Sequence, residues 1–258
     1  MDQQRQGSRS GKKDPAAGLR IEIAQRPDQV AAAWELVYQA YRDAELIEDN
    51  PHRIHTVPQA IRPTTSVVVA YEGKKVVSTL TIMHDGPVGL PLDRVYQPHL
   101  DRMRQDGKRL MEVGLFADSQ LPISRATVAF REMMRFVFYS SCWSLADIVI
   151  GVHPSHSKYY IRQFGFETAG PVSVHPIVRN RPVVLLHGET KRQLSLNPMP
   201  RSIAEYVDRP LPRSSFDRKL RLAPETIAGT AIGGFVDMLA ELWNNVTYVP
   251  RLAGTISA

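Results

Sequence analysis

Cysteine is nearly absent: Cys142 is the sole thiol in 258 residues. One thiol closes no internal disulfide, which fits a chain kept in a reducing compartment. Its setting, Ser140-Ser141-Cys142-Trp143, suits a core position better than a nucleophile. No run approaches the ~18 apolar residues that a spanning helix needs. Residues 1–13 are polar and basic with no apolar stretch behind them, so no signal peptide is expected. A cytoplasmic location is the expectation that follows. Zinc-finger spacing and interleaved basic and aromatic residues are both missing, so no nucleic-acid partner is expected. There is no Gly-x-Ser-x-Gly elbow, which argues against a serine hydrolase. The pairs His52-x-x-His55 and His153-x-x-His156 lack a third ligand at a recognisable spacing, so no metal is expected either.

What remains is ordinary globular composition, with 43% hydrophobic and 22% charged residues and a net charge of +6. The positive excess implies an acidic partner or a basic surface. Basic side chains gather in the tail (Arg5, Arg9, Lys12, Lys13) and again over residues 191–221. Residues 1–18 have the composition of a disordered tail. A strand over 19–24 precedes a helix opened by Pro27-Asp28, with Val30, Trp34, Val37, Tyr38 and Tyr41 on one face. Residues 49–62 form a loop, with Pro51 and Pro58 inside it and Pro63 directly after it.

A hairpin over 66–71 and 75–83 turns at Glu72-Gly73. A helix over 92–105 offers Leu92, Val95, Tyr96, Leu100 and Met103 to a core. Ser124 is placed to cap a long helix running to about residue 145. Residues 147–152 make a strand apolar on both faces. A short helix over 155–164 ends at Gly165, and strands near 172–178 and 182–186 follow. Residues 191–224 are rich in Pro and Arg. A last helix over about 225–243 carries Ala228, Ile232, Phe235, Leu239 and Leu242. Core docking, cover for an interior tunnel, a homodimer contact and peripheral membrane contact are all open to it. The order of elements predicts an α/β protein with a mixed central sheet flanked by helices.

The densest information lies in Leu110-Met111-Glu112-Val113-Gly114-Leu115-Phe116-Ala117-Asp118. It is a buried strand holding one carboxylate among apolar neighbours. Burying a carboxylate is costly, and desolvation raises its pKa toward the range of a general base near neutrality. A Glu at a strand edge, facing water or an arginine, is the structural alternative.

The unit from Leu110 to Phe166 resembles the core of the Gcn5-related acyltransferase fold. The resemblance implies that the Glu112 strand bulges and splays from the next one to admit a thioester arm. A backbone N–H near Leu115 or Phe116 would then bind the thioester oxygen and strengthen as that atom becomes an oxyanion. The glycine-rich pyrophosphate loop of acetyl-CoA users has no counterpart in Asp118-Ser119-Gln120-Leu121-Pro122-Ile123-Ser124-Arg125. Arg125 and the helix start suit a single phosphate, as on the phosphopantetheine arm of an acidic acyl carrier protein.

Gly89-Leu90-Pro91-Leu92-Asp93, then Leu100-Asp101-Arg102-Met103-Arg104 and Leu110-Met111-Glu112, looks like the bacterial long-chain N-acyl amino acid synthases. These are relatives of the acyl-homoserine lactone synthases. His153-Pro154-Ser155-His156, Tyr159-Tyr160 and Gly165-Phe166 match the family's later block. The resemblance implies an acyltransferase domain over 19–190 that moves a long fatty acyl group from acyl carrier protein to the amine of an amino acid. Glu112 would be the base and Tyr160 the acid that protonates the departing thiolate, with His156 beside the thioester arm. Arg42 and Arg53 are the candidates for the substrate carboxylate. No permanently bound cofactor is implied; the acyl-phosphopantetheine thioester is a co-substrate. Two alternatives stand beside this reading: a conventional acyl-CoA-dependent enzyme acting on a small amine, and a non-catalytic module binding a carrier protein or membrane.

Overall fold

A computed structural model describes residues 18–217. The expected basic tail up to residue 17 and the expected helix over 225–243 lie outside the described residues. In chain order the elements are β1 (Leu19–Ile23), α1 (Pro27–Asp43), β2 (Ser66–Glu72), β3 (Lys75–His84), α2 (Asp93–Gln105), β4 (Leu110–Asp118) and α3 (Ile123–Ser144). Then come β5 (Asp147–Val152), α4 (Ser157–Phe164), β6 (Glu167–Thr168), β7 (Ser173–His175), β8 (Arg181–Gly188), α5 (Thr190–Ser195) and α6 (Arg201–Asp208).

The strands form one mixed sheet in the order β1-β2-β3-β4-β5-β8-β6, with β7 also paired to β8. Only β4 and β5 run parallel, joined by the α3 crossover that parallel neighbours require. Both sheet faces are covered, which explains the unbroken apolar run of β2. Val68 and Ala70 face the core under α3, while Val67, Val69 and Tyr71 face the core under α1. The stripe expected on α1 buries Val30, Trp34, Val37 and Tyr38. On α2, Leu92, Tyr96 and Leu100 are buried, with Val95 and Met103 at the margin of their cluster.

Three details differ from expectation. Ser124 does not cap α3; Pro122 precedes the first turn, and its carbonyl accepts from the N–H groups of Arg125 and Ala126. The fixed φ of proline, −51° here, starts the helix two residues early. The helix expected from residue 155 begins with a 3₁₀ turn, Pro154–His156, before α4. Residues beyond 190 share the core: α6 buries Ile203 and Tyr206 with the α3 cluster, and Tyr206 donates a hydrogen bond to the Arg131 carbonyl.

Gly165 ends α4 at φ +71°, and a Cβ there would meet Pro200 Cγ at 2.8 Å. Gly165→Ala is therefore expected to destabilise the fold by more than the ~1–2 kcal/mol of left-handed backbone alone. Urea unfolding of the variant measures that cost.

Candidate active site

The site begins with a defect in β4. Gly114 pairs with Thr81 and Ala117 with Thr79, so Leu115 and Phe116 together oppose Leu80. Leu115 takes φ +50° to accommodate the extra residue. The bulge turns Leu115 toward the α1 core, while Phe116 packs against Phe130 of α3 with ring centroids 5.0 Å apart. Pairing of β4 to β5 covers Leu110, Met111 and Glu112 and stops there. Beyond Glu112 the two strands part: β4 stays with β3, and β5 stays with β8.

Glu112 stands at that parting, 5% exposed. The Leu92 N–H, at the start of α2, donates to its Oε2 at 2.8 Å. Burial drives its pKa well above the carboxylate range. The Leu92 bond opposes that rise, and the charges of Asp93 and Asp85 add to it. Neither acid is itself bare, since Arg104 binds Asp85, Asp93 and Asp101 at 2.6–2.8 Å. Among the described residues no cation bonds to Glu112. Gly114 lies beside the second carboxylate oxygen, since a Cβ there would stand 3.7 Å from Oε1, an ordinary contact.

One tyrosine shares the electrostatic surroundings of this carboxylate, and a second interacts with the first. Tyr41, at the end of the α1 stripe, has its phenol raised to about 12 by burial and then by the charge of Glu112. In the sequence Tyr41 is one more residue on the apolar face of α1; its nearness to Glu112 emerges only from the folded chain. Its ring tilts against that of His55, with centroids 5.2 Å apart. Burial lowers the His55 imidazole to about 4. A histidine NMR titration is expected to show His55 neutral from pH 8 down to about pH 5, where a free imidazole of pKa ~6.5 would already be charged. Tyr160 stands in α4, its ring edge-on to Phe130 and Phe166 at 5.9 and 6.1 Å. Burial raises its phenol strongly, and the neighbouring Tyr159 and Tyr41 add to the rise. Its hydroxyl makes no hydrogen bond among the described residues.

The other expected residues are more scattered. Arg125 stands in the first turn of α3 and pairs with Glu72 at 2.8 Å. His156 is exposed, its ring 5.9 Å from that of His153, which caps the 3₁₀ turn through the Ser155 N–H. Arg42 and Arg53 do come together, lining one shallow groove, but Asp43 and Asp49 line it too. Arg42 is committed to Asp49 at 2.5 Å. A broad groove of 1110 Å³ runs along the outer side of α1, and neither Glu112 nor Tyr160 lines it. No group of three His, Cys, Asp or Glu side chains among the described residues is placed to hold a metal. No described helix is long and apolar enough to cross a membrane.

Solved structures share this arrangement of strands and helices. FeeM, an N-acyl amino acid synthase from uncultured soil microbes, is 24% identical, covers 67% of this chain and 91% of its own, and superposes with a TM-score of 0.58. BjaI, a CoA-dependent acyl-homoserine lactone synthase, is 15% identical over 74% of this chain and 89% of its own, with a TM-score of 0.53. TofI, solved with an inhibitor and MTA, is 15% identical over 67% of this chain and 91% of its own, with a TM-score of 0.51. No curated protein matches the sequence. The sequence profile of the family "N-acyl amino acid synthase FeeM" matches residues 32–189, from α1 to the end of β8. With a match over more than half its length, the chain belongs to the FeeM family of N-acyl amino acid synthases and is an acyltransferase.

Proposed function

We propose that this protein transfers a long-chain fatty acyl group from acyl carrier protein to the α-amine of an amino acid, with Glu112 as general base. The observation that carries the proposal is a buried carboxylate, without a bonded cation among the described residues, at the point where β4 parts from β5. An α-ammonium is largely protonated at neutral pH and has no lone pair to attack with. A carboxylate of raised pKa is a better proton acceptor than an ordinary one. Glu112 takes the proton, and the amine nitrogen attacks the thioester carbonyl. The C–N bond forms, the C–S bond breaks with its electron pair going to sulfur, and the second proton that the nitrogen loses passes to that thiolate or to solvent.

A backbone N–H of the Leu115–Phe116 bulge is the proposed donor to the developing oxyanion. Tyr160 is assigned to the leaving sulfur. A phenol raised this strongly keeps its own proton, so it hydrogen-bonds the thiolate rather than surrendering the proton to it. A thiol titrating near ~8.5 is a good enough leaving group for that to suffice.

The amides after β4 favour a carrier-borne donor. Ser119 N–H is spent on Val77, Gln120 N–H on Asp118, and those of Arg125 and Ala126 on Pro122. Pro122 has no N–H to give. Leu121, Ile123 and Ser124 are left, enough for one phosphate at a helix start and few for a pyrophosphate. BjaI is described as CoA-dependent, so both donors belong in the test. Purified protein is given palmitoyl-acyl carrier protein or palmitoyl-CoA with a mixture of amino acids, and products are read by mass spectrometry. N-acyl amino acid from the carrier thioester supports the proposal. Product from the CoA thioester alone replaces the carrier by CoA, and absence of product from both sinks the proposed reaction.

A further inference from the structure

The two carboxylate oxygens of Glu112 lean toward different helices. Side chains alternate along β4, so Leu110, Glu112 and Gly114 share one face, with Met111 and Val113 on the other. Leu110 belongs to the cluster under α2, and Met83, the cross-strand partner of Glu112, to the cluster under α1. Glu112 therefore stands at the seam between them. Oε2 takes the Leu92 N–H on the α2 side. Oε1 lies on the α1 side, since a Cβ at Gly114 would stand 3.4 Å from Met83 Cε and 3.7 Å from Oε1. Tyr41 packs against the cluster that holds Met83 and Leu115. Tyr160 packs against the cluster of the opposite face, under α3.

We propose that the Tyr41 hydroxyl is a second catalytic group, which accepts an N–H of the acceptor's ammonium and holds that nitrogen against Oε1 of Glu112. The inference rests on the amine acceptor proposed above and names the side chain that steers it.

Neither Oε1 nor the Tyr41 hydroxyl makes a hydrogen bond among the described residues, and the two do not bond each other. An ionised carboxylate can only accept, and a phenol that keeps its proton still offers oxygen lone pairs. Burial and the charge of Glu112 keep the Tyr41 phenol protonated. Two acceptors on one flank are matched by a donor with more than one hydrogen, and an α-ammonium carries three. His55, against the Tyr41 ring, is held neutral by burial and brings no charge to repel a cation.

The chemistry uses both contacts. Glu112 removes one proton, so an N–H bond breaks and an O–H bond forms on Oε1. The lone pair left behind points at Glu112 and away from the thioester. A remaining N–H on Tyr41 keeps the neutral amine in place while the nitrogen turns about its bond to carbon and presents that pair to the carbonyl. Tyr41 gives up no proton at any step. Ring packing alone is the competing role, and Tyr41→Phe separates the two, because it keeps the ring against His55 and removes only the oxygen.

The test uses the full chain, leucine, and whichever of palmitoyl-acyl carrier protein and palmitoyl-CoA supports turnover. Tyr41→Phe is expected to lower kcat/KM for leucine by ~10- to 100-fold, the range for losing a hydrogen bond to a charged group. KM for the thioester and the melting temperature stay at their wild-type values. Equal kcat/KM for leucine in the two proteins overturns the assignment, and so does a loss matched by an equal rise in KM for the thioester. Calorimetric titration of leucine reads the contact without turnover. Weaker binding to Tyr41→Phe than to wild type supports the assignment even if neither donor yields product, whereas equal binding, or none to wild type, refutes it. Failure of the acyl-transfer proposal therefore shows in the wild-type product assay, and failure of the Tyr41 contact shows in the comparison of the two proteins.

Discussion

Glu112→Gln lowers kcat by ~10²- to 10⁴-fold, the span assigned to a positioned general base, while the melting temperature at pH 8 holds or rises. The two halves of that result have one cause. Burial raises the Glu112 pKa, so the folded protein keeps this proton at pH values where the unfolded chain has already released it. A carboxyl raised on folding contributes stability below its unfolded pKa, near 4.5, and loses it as pH climbs through the folded value. At pH 8 the wild type bears the cost of a desolvated negative charge. Glutamine can still accept from the Leu92 N–H without carrying that charge. Catalysis runs the other way, because only the ionised form accepts a proton. In wild type, kcat/KM should rise with pH through the elevated Glu112 pKa, and that acid limb should vanish in the variant. A variant as active as wild type removes Glu112 as base. One that is inactive because it has melted would reveal a structural glutamate instead.

Arg104→Ala is expected to cost ~3–5 kcal/mol of folding stability, the penalty for stranding a buried partner of an ion pair. The Asp93 side chain is 1% exposed and receives Arg104 Nη2 at 2.8 Å, and Asp85 receives Nε at 2.6 Å. Burial alone would lower the pKa of this guanidinium; its bonds to Asp93 and Asp85 raise it instead. Asp93 also accepts from the Leu90 N–H at 2.6 Å, so the same carboxylate orders the turn that feeds Leu92 to Glu112. Chemical denaturation of Arg104→Ala and of Arg104→Ala with Asp93→Asn separates the terms. Asparagine removes the stranded charge and should recover a large part of the loss. Equal stability of Arg104→Ala and wild type would show that solvent satisfies both acids without the arginine.

The burial of Glu112 was legible in the sequence because Leu110-Met111-Glu112-Val113 surrounds the carboxylate with apolar residues, although a strand-edge glutamate would read the same way. The double-sided burial of β5 was equally plain, since its run lacks polar alternation, and Ile148 and Ile150 lie in one core cluster while Val149 lies in another. The bulge is different. Leucine has no preference for φ +50°, and nothing local separates Leu115 from its neighbours; only the family resemblance pointed there. Tyr41 fell on a helical stripe and was indistinguishable from packing until the loop after α1 brought His55 against it. The surroundings of the two candidate arginines were hidden for a related reason. Arg42 and Arg53 are single letters in the sequence, and the carboxylates of Asp43 and Asp49 that share their groove come together beside them only in the fold. The short elements β6, α5 and α6 were missed because a turn or two carries no measurable periodicity.

The parallel pairing of β4 with β5 spans three residues, Leu110 to Glu112. Past them the sheet is two half-sheets, β1 to β4 on one side and β5 to β8 on the other, each with a strand edge turned to the gap. An extended pantetheine arm bearing amide groups, entering that gap as the family resemblance implies, would supply the missing rungs and serve for a time as a strand of the protein itself. Turnover would then end with the enzyme losing part of its own sheet, and the backbone amides of Val113 and Ile150 would register the donor's arrival as directly as any product does.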